Sequence, residues 1–211
     1  NEMATANSSC IIKLVHDHDA ESPREWDNLG SMVCAHRRYR LGDENGAAKA
    51  LEVIYKHLSD KQLGQIDFNA NHIPDVERAL EMTGQAIMLP LYLYDHSGIT
   101  MKTSPFSCRW DSGKVGFIFV SKDKARSELG WKHLTKPRIE KLETYLDGEV
   151  ESYDQYLTGN VWGYQVIEDD EVVDSCWGFF GSDPMTNGVL DHLSNQHQAM
   201  IQAGNYQRVY S

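Results

Sequence analysis

Apolar residues from Lys136 to about Leu157 fall at Ile139, Leu142, Leu146, Val150, Tyr153 and Leu157. Steps of three and four keep them on one stripe, so the spacing predicts a long amphipathic helix. Pro137 lies in its first turn, where a missing N–H costs nothing. Gly148 in the middle costs about 1 kcal/mol against alanine, so a bend or break is expected there. A second stripe, Ala47, Ala50, Leu51, Ile54 and Leu58, predicts a helix over 46–58. Ile73-Pro74-Asp75 opens a third, with Val76, Leu80 and Met82 inward. Ser121 caps a short basic helix that has Asp123 in its first turn and Gly130 just past its end. A last helix is expected from about Asn187 to Ala203.

Shorter apolar runs predict strands. Cys10–His16 is rich in β-branched residues, and Ala86–Tyr94 turns through Asp95-His96-Ser97-Gly98 into a second strand ending at Met101. Val115–Val120 reads as a buried strand, and Val161–Glu168 with Val172–Phe180 as a hairpin around Asp169-Asp170. In Asp174–Gly181 the aromatics beside glycines read as core closing over a tight turn. Residues 17–45 have neither period and contain Ser22-Pro23, Asn28-Leu29-Gly30 and Gly42-Asp43, so a loop with short helical turns is expected. Its length calls for a functional or structural reason. Strands at both ends with helices grouped between them give an α+β fold, with a mixed or antiparallel sheet and four to five helices. A single domain over 1–211 is expected, subdivided into a neutral part, 1–134, and an acidic part, 135–211.

Composition agrees with a globular protein, at 41% hydrophobic and 24% charged residues. No run approaches the apolar length of a membrane span, and no charged-then-apolar leader is visible; Met3-Ala4-Thr5 reads as a natural start. A soluble, cytoplasmic protein is expected. Cys10, Cys34, Cys108 and Cys176 lie far apart, as buried free thiols would.

Charge changes the picture more than composition does. From Leu142 to Gln207 there is no lysine or arginine, yet the segment holds twelve aspartates and glutamates. The first 141 residues balance nineteen acids with nineteen bases, so the formal charge of −11 is concentrated late in the chain. On the long helix Glu140, Glu143, Asp147, Glu151 and Asp154 form a row of their own, spanning roughly 21 Å at 1.5 Å per residue. Like charges at this spacing repel by some tenths of a kcal/mol per pair, and stability alone would favour lysines between them. Glu168, Asp169, Asp170 and Glu171 add four carboxylates at the hairpin tip. Rigid carboxylate rows can occupy a basic groove that otherwise receives the phosphates of DNA; a solvated acidic face is the plainer reading.

Other clusters carry less. His16, Asp17, Asp19 and Glu21 gather ligands suited to Ca²⁺ or Mg²⁺, with Asp17, Asp19 and Glu21 as the candidate ligands. An EF-hand-type loop from Asp17, however, would place Ser22 where glycine is needed and Asn28 where the bidentate glutamate belongs. His36-Arg37-Arg38-Tyr39-Arg40 could grip phosphate, but acids on both sides predict internal pairing with Asp17, Asp19, Asp43 or Glu44. Neither Cys34 beside His36 nor Cys108 beside Arg109 has the third group that orients a nucleophile. Phosphate loops, zinc-protease motifs and nucleophile elbows are absent from the sequence.

HDHDAESPREWDNLGSMVCAHRRYRLGD (16–43), LPLYLYDHSGITM (89–101), YDQYLTGNVWGY (153–164) and DSCWGFFG (174–181) together resemble a family of small proteins of bacteriophages and other mobile elements. The resemblance implies a mobile-element setting, where acidic proteins that block host nucleic-acid-binding defence complexes are common. No family activity or catalytic residue transfers with it. The leading expectation is a non-enzymatic accessory protein, without cofactor, whose acids at 140, 143, 147, 151, 154 and 168–171 bind a basic surface of a host nuclease or defence complex. Direct contact with nucleic acid or a membrane is not expected. The alternatives are a metal-assisted phosphoesterase or hydrolase using His16, Asp17 and Asp19 of the 16–43 loop, and a homo-oligomer joined through the Ile139–Leu157 stripe.

Overall fold

Two four-stranded sheets carry the fold. The structure, a computed structural model, describes residues 9–210; the expected start at Met3 lies outside them. The elements run β1 (Cys10–His16), a 3-10 turn (Pro23–Glu25), β2 (Ser31–Cys34), α1 (Gly46–His57), α2 (Asp60–Gln65), α3 (Ile73–Thr83), β3 (Ala86–Asp95), β4 (Ile99–Lys102) and β5 (Ser112–Ser121). There follow α4 (Lys122–Leu129), α5 (Lys136–Leu157), β6 (Val161–Glu168), β7 (Glu171–Phe180), a 3-10 turn (Val189–His192), α6 (Asn195–Gln202) and β8 (Gln207–Val209). The class is α+β, as expected. The chain divides into two compact units, one of Asn1–Ser22 with Gln155–Ser211 and one of Pro23–Asp154. The first unit joins both ends of the chain, so its boundary does not follow the charge step near residue 135.

In the Pro23–Asp154 unit the sheet order is β2-β5-β3-β4, with every pairing antiparallel. Phe117 and Phe119 pack with Ala50, Ile54, Val76, Ala79 and Leu80 of α1 and α3. Alternate residues Ile118 and Val120 point the other way and are also buried, which explains the unbroken apolar run of β5. On α5 the stripe residues Leu142, Leu146, Val150 and Tyr153 are buried. A Cβ built at Gly30 would sit 2.5 Å from Leu146 and 3.0 Å from Ile118, so this face of the helix lies against its own unit. Ile139 and Leu157, at the two ends of the stripe, are only partly buried. The helix runs unbroken through Gly148.

The other unit is built on the order β7-β6-β1-β8, and it is mixed because β8 pairs parallel to β1. Ile12, Leu14, Trp162, Tyr164, Val166 and Phe179 form its core with Val189, Leu193 and Ile201 from the segment after β7. Trp177 lies across Gly163, where a Cβ would meet the indole at 2.3 Å. The expected helix over 187–203 is split. Leu193 and Ser194 are extended, and Ser194 caps α6 by accepting from the His197 N–H. A serine that bonds the backbone three residues on starts a new helix instead of continuing an old one.

Candidate functional site

The negative charge is concentrated in one of the two units. The unit of 1–22 with 155–211 holds eleven acids against two bases, Lys13 and Arg208, a net −9. The Pro23–Asp154 unit holds twenty acids and eighteen bases, a net −2. Of the two bases in the acidic unit, Arg208 is drawn among aromatic rings, its guanidinium 5.3 Å from the centre of Trp162 and 5.7 Å from that of Tyr206. Its Nη1 is buried without a hydrogen-bond partner. That cation is therefore poorly placed to neutralise the outer surface.

The hairpin tip presents the densest part of this charge. Glu168 and Glu171 are cross-strand partners, and Asp169 and Asp170 make a two-residue turn with φ of 49° and 67°. Both central residues are thus left-handed, as a type I′ turn requires, at positions where Asn-Gly is usual. Asp169 N–H donates to the Ser9 carbonyl at 3.2 Å, and Asp169, Asp170 and Glu171 are exposed. Glu168 is not a free member of the group, since its Oε1 lies 3.7 Å from His197 Nε2.

The row on α5 is not uniform either. Glu140, Glu143 and Glu151 are exposed. Asp147 accepts from Thr103 Oγ1 at 2.5 Å, and Asp154 Oδ1 accepts from Thr100 Oγ1 at 2.7 Å and Met101 N–H at 2.8 Å. These two acids fasten the β4 segment to the helix, so helical period alone overstated the outward row. Glu149, outside the row, faces Arg24.

The 16–43 stretch is divided between the units after Ser22. His16 Nε2 contacts the Gly159 carbonyl, and its ring meets those of His18 and Trp162 at 4.8 and 4.9 Å. Asp17 Oδ1 accepts from Asp19 N–H at 3.1 Å, a local turn. Among the described residues, the group of three metal-ligating side chains is Cys10, Glu168 and His197, and Asp17, Asp19 and Glu21 form no such group. Residues 23–43 are closed by a buried clamp in which Arg24 pairs with Asp43 and Glu149. Beside it lies a polar cleft of about 460 Å³, lined by Arg24, Trp26, Asn28, Asp43, Lys49 and Lys124.

The basic cluster pairs internally, but mainly with a different acid from those expected. Arg38 bonds Asp95 of β3, and Tyr39 OH donates to the same carboxylate at 3.3 Å. Asp43 is taken by Arg24, which leaves exposed Glu44 to face Arg40 at 3.9 Å. All four cysteines are free and partly buried.

Fold and surface together define an α+β protein with one strongly electronegative unit. No family model matches the chain, and neither a curated protein nor a solved structure matches it. Among the described residues, no helix is long and apolar enough to cross a membrane.

Proposed function

We propose that this is a non-enzymatic phage or mobile-element protein of the bacterial cytoplasm that docks on a basic, nucleic-acid-binding surface of a host protein, as an anti-restriction or anti-CRISPR-like decoy. The observation that carries this reading is the net −9 of one compact unit against −2 for the other. A field of one sign steers association with an oppositely charged partner and raises the on-rate at low salt. The hairpin tip supports it: two adjacent left-handed aspartates, flanked by glutamates, are a poor choice for stability alone.

The test uses the immobilised chain against a bacterial host lysate at two salt concentrations. The captured protein is then purified and challenged with duplex DNA. The expected result is a nucleic-acid-binding protein that is released by salt and displaced by DNA. Asp169→Lys, Asp170→Lys and Glu171→Lys together should abolish capture. Glu140→Lys, Glu143→Lys and Glu151→Lys, combined separately, ask whether the α5 acids contribute. Capture that resists both salt and the hairpin reversal would sink the proposal.

A further inference from the structure

We propose that Cys10, Glu168 and His197 form a binding site for a thiophilic divalent metal, with Zn²⁺ the best-fitting ion. Cys10 and Glu168 are direct antiparallel partners across β1 and β6, so their side chains leave the same face of the sheet. Cys10 borders the core cluster to which Ile201 of α6 also belongs, and His197 comes from the first turn of that helix, fixed by the Ser194 cap. The Cys10 sulfur, one carboxylate oxygen and one imidazole nitrogen all lie within 4.8 Å of one another. His197 Nε2 and Glu168 Oε1 are 3.7 Å apart.

Zinc bonds of about 2.0–2.3 Å in a tetrahedron put ligand atoms roughly 3.3–3.8 Å apart. The His197–Glu168 pair already has that spacing. The remaining separations lie within 4.8 Å, so at most about 1 Å of closure is needed, and Glu168, with its side chain 42% exposed, has room to adjust toward Cys10. A thiolate and an imidazole select zinc over calcium or magnesium, which want several oxygens where this site offers one carboxylate. On binding, the Cys10 thiol gives its proton to solvent as the S–Zn bond forms, and thiolate and carboxylate balance the dication. Three protein ligands leave the fourth position to water, and the acidic hairpin tip next to Glu168 adds a favourable field. The ion would join β1, the end of β6 and α6, three segments far apart in sequence. This site stands independently of the proposed host partner.

The experiment treats the full chain with chelator and then titrates it with Co²⁺ as a spectroscopic probe. One equivalent should bind with a thiolate-to-cobalt charge-transfer band that Zn²⁺ displaces. Cys10→Ser should remove the band, Glu168→Gln and His197→Ala should each weaken binding by more than about tenfold, and Cys108→Ser should change nothing. On the unaltered chain, Zn²⁺ should protect Cys10 selectively from alkylation, read by peptide mass, which keeps the test valid if a variant fails to fold. Absence of one-to-one binding, a band that survives Cys10→Ser, or protection at a different cysteine would each overturn the proposal.

Discussion

Arg24 and Asp43 meet as a bidentate pair, Nε to Oδ1 at 2.7 Å and Nη2 to Oδ2 at 2.8 Å, with side chains only 4% and 10% exposed. Arg24 Nη1 donates to Glu149 Oε1 at 3.0 Å, and Nη2 also donates to the Gly30 carbonyl at 2.9 Å. The carboxylates are satisfied in turn, Asp43 by Met32 N–H at 2.9 Å and Glu149 by Gly30 N–H at 3.0 Å. Burial opposes the charge on Arg24, but bonds to Asp43 and Glu149 keep its pKa above the ordinary value. Desolvating such a group is tolerable only when its partners are complete.

Removing the cation should therefore be costly. Arg24→Ala is expected to destabilise the fold by about 3–5 kcal/mol, because two carboxylates would be left buried without their partner. Arg24→Lys should recover little, since an ammonium cannot reproduce the two-pronged geometry. Urea denaturation checks both, and a near-neutral Arg24→Ala would show that the clamp does not hold the 23–43 segment.

Two acids one helical turn apart on α5 should behave differently. Asp154→Ala leaves the Met101 N–H without this acceptor and should cost about 1–3 kcal/mol. Glu151→Ala, at an exposed position, should stay within about 0.5 kcal/mol. Thermal denaturation of the two variants gives the comparison, and equal effects would mean that the row is uniform after all.

That contrast marks how far the sequence could be read. The span Lys136–Leu157 was legible because its apolar steps and Pro137 all point to one helix. Period tells which acids share a face, but not that Thr100 and Thr103 lie opposite Asp154 and Asp147. Strand β2 has no signature in the sequence, because Ser31, Met32 and Val33 are consecutively buried and four residues show no alternation. Helix α2 does have one, the capping box of Ser59 with Gln62. The juxtaposition of Cys10 and Glu168 depends on a strand register that no spacing within the chain announces.

Glycine substitutions should separate a helical position from a packed one. At Gly148 a Cβ meets nothing within 4 Å, so Gly148→Ala should stabilise α5 by about 0.5–1 kcal/mol. At Gly116 a Cβ would lie 1.8 Å from the Val33 carbonyl oxygen, across the β2–β5 pairing. Gly116→Ala should cost more than about 4 kcal/mol or prevent folding. Denaturation midpoints test both signs.

The turn at the hairpin tip sets stability against charge. Asp169→Asn with Asp170→Gly places the favoured residues at the two left-handed positions and removes two negative charges. The double variant should gain up to about 1 kcal/mol while its low-salt association with the proposed partner slows. A variant that gains stability and keeps the full on-rate in stopped-flow binding would separate the tip from the proposed interface.

Cys34 and Tyr164 should govern stability on the alkaline side. Burial first, then the nearby Asp43 charge, pushes the Cys34 thiol from an ordinary 9.0 up to about 12, with Arg24 opposing. Tyr164 rises from 10.0 to about 12, through burial first and then its 3.1 Å bond to Asp174. Both groups hold their proton more tightly in the folded chain than in the unfolded one. Their contribution is therefore complete below the unfolded pKa and is lost as pH rises toward the folded value. Denaturation midpoints should begin to fall near pH 9.0 as unfolded Cys34 ionises, and fall more steeply above pH 10.0 as unfolded Tyr164 joins it. Cys34→Ala should remove the first part of the decline and Tyr164→Phe the second. Cys34 should also react more slowly with iodoacetamide in the folded chain than in the unfolded one, because the thiolate is the nucleophile. Midpoints that stay level across the whole window, or a Cys34 that alkylates as fast folded as unfolded, would contradict this account.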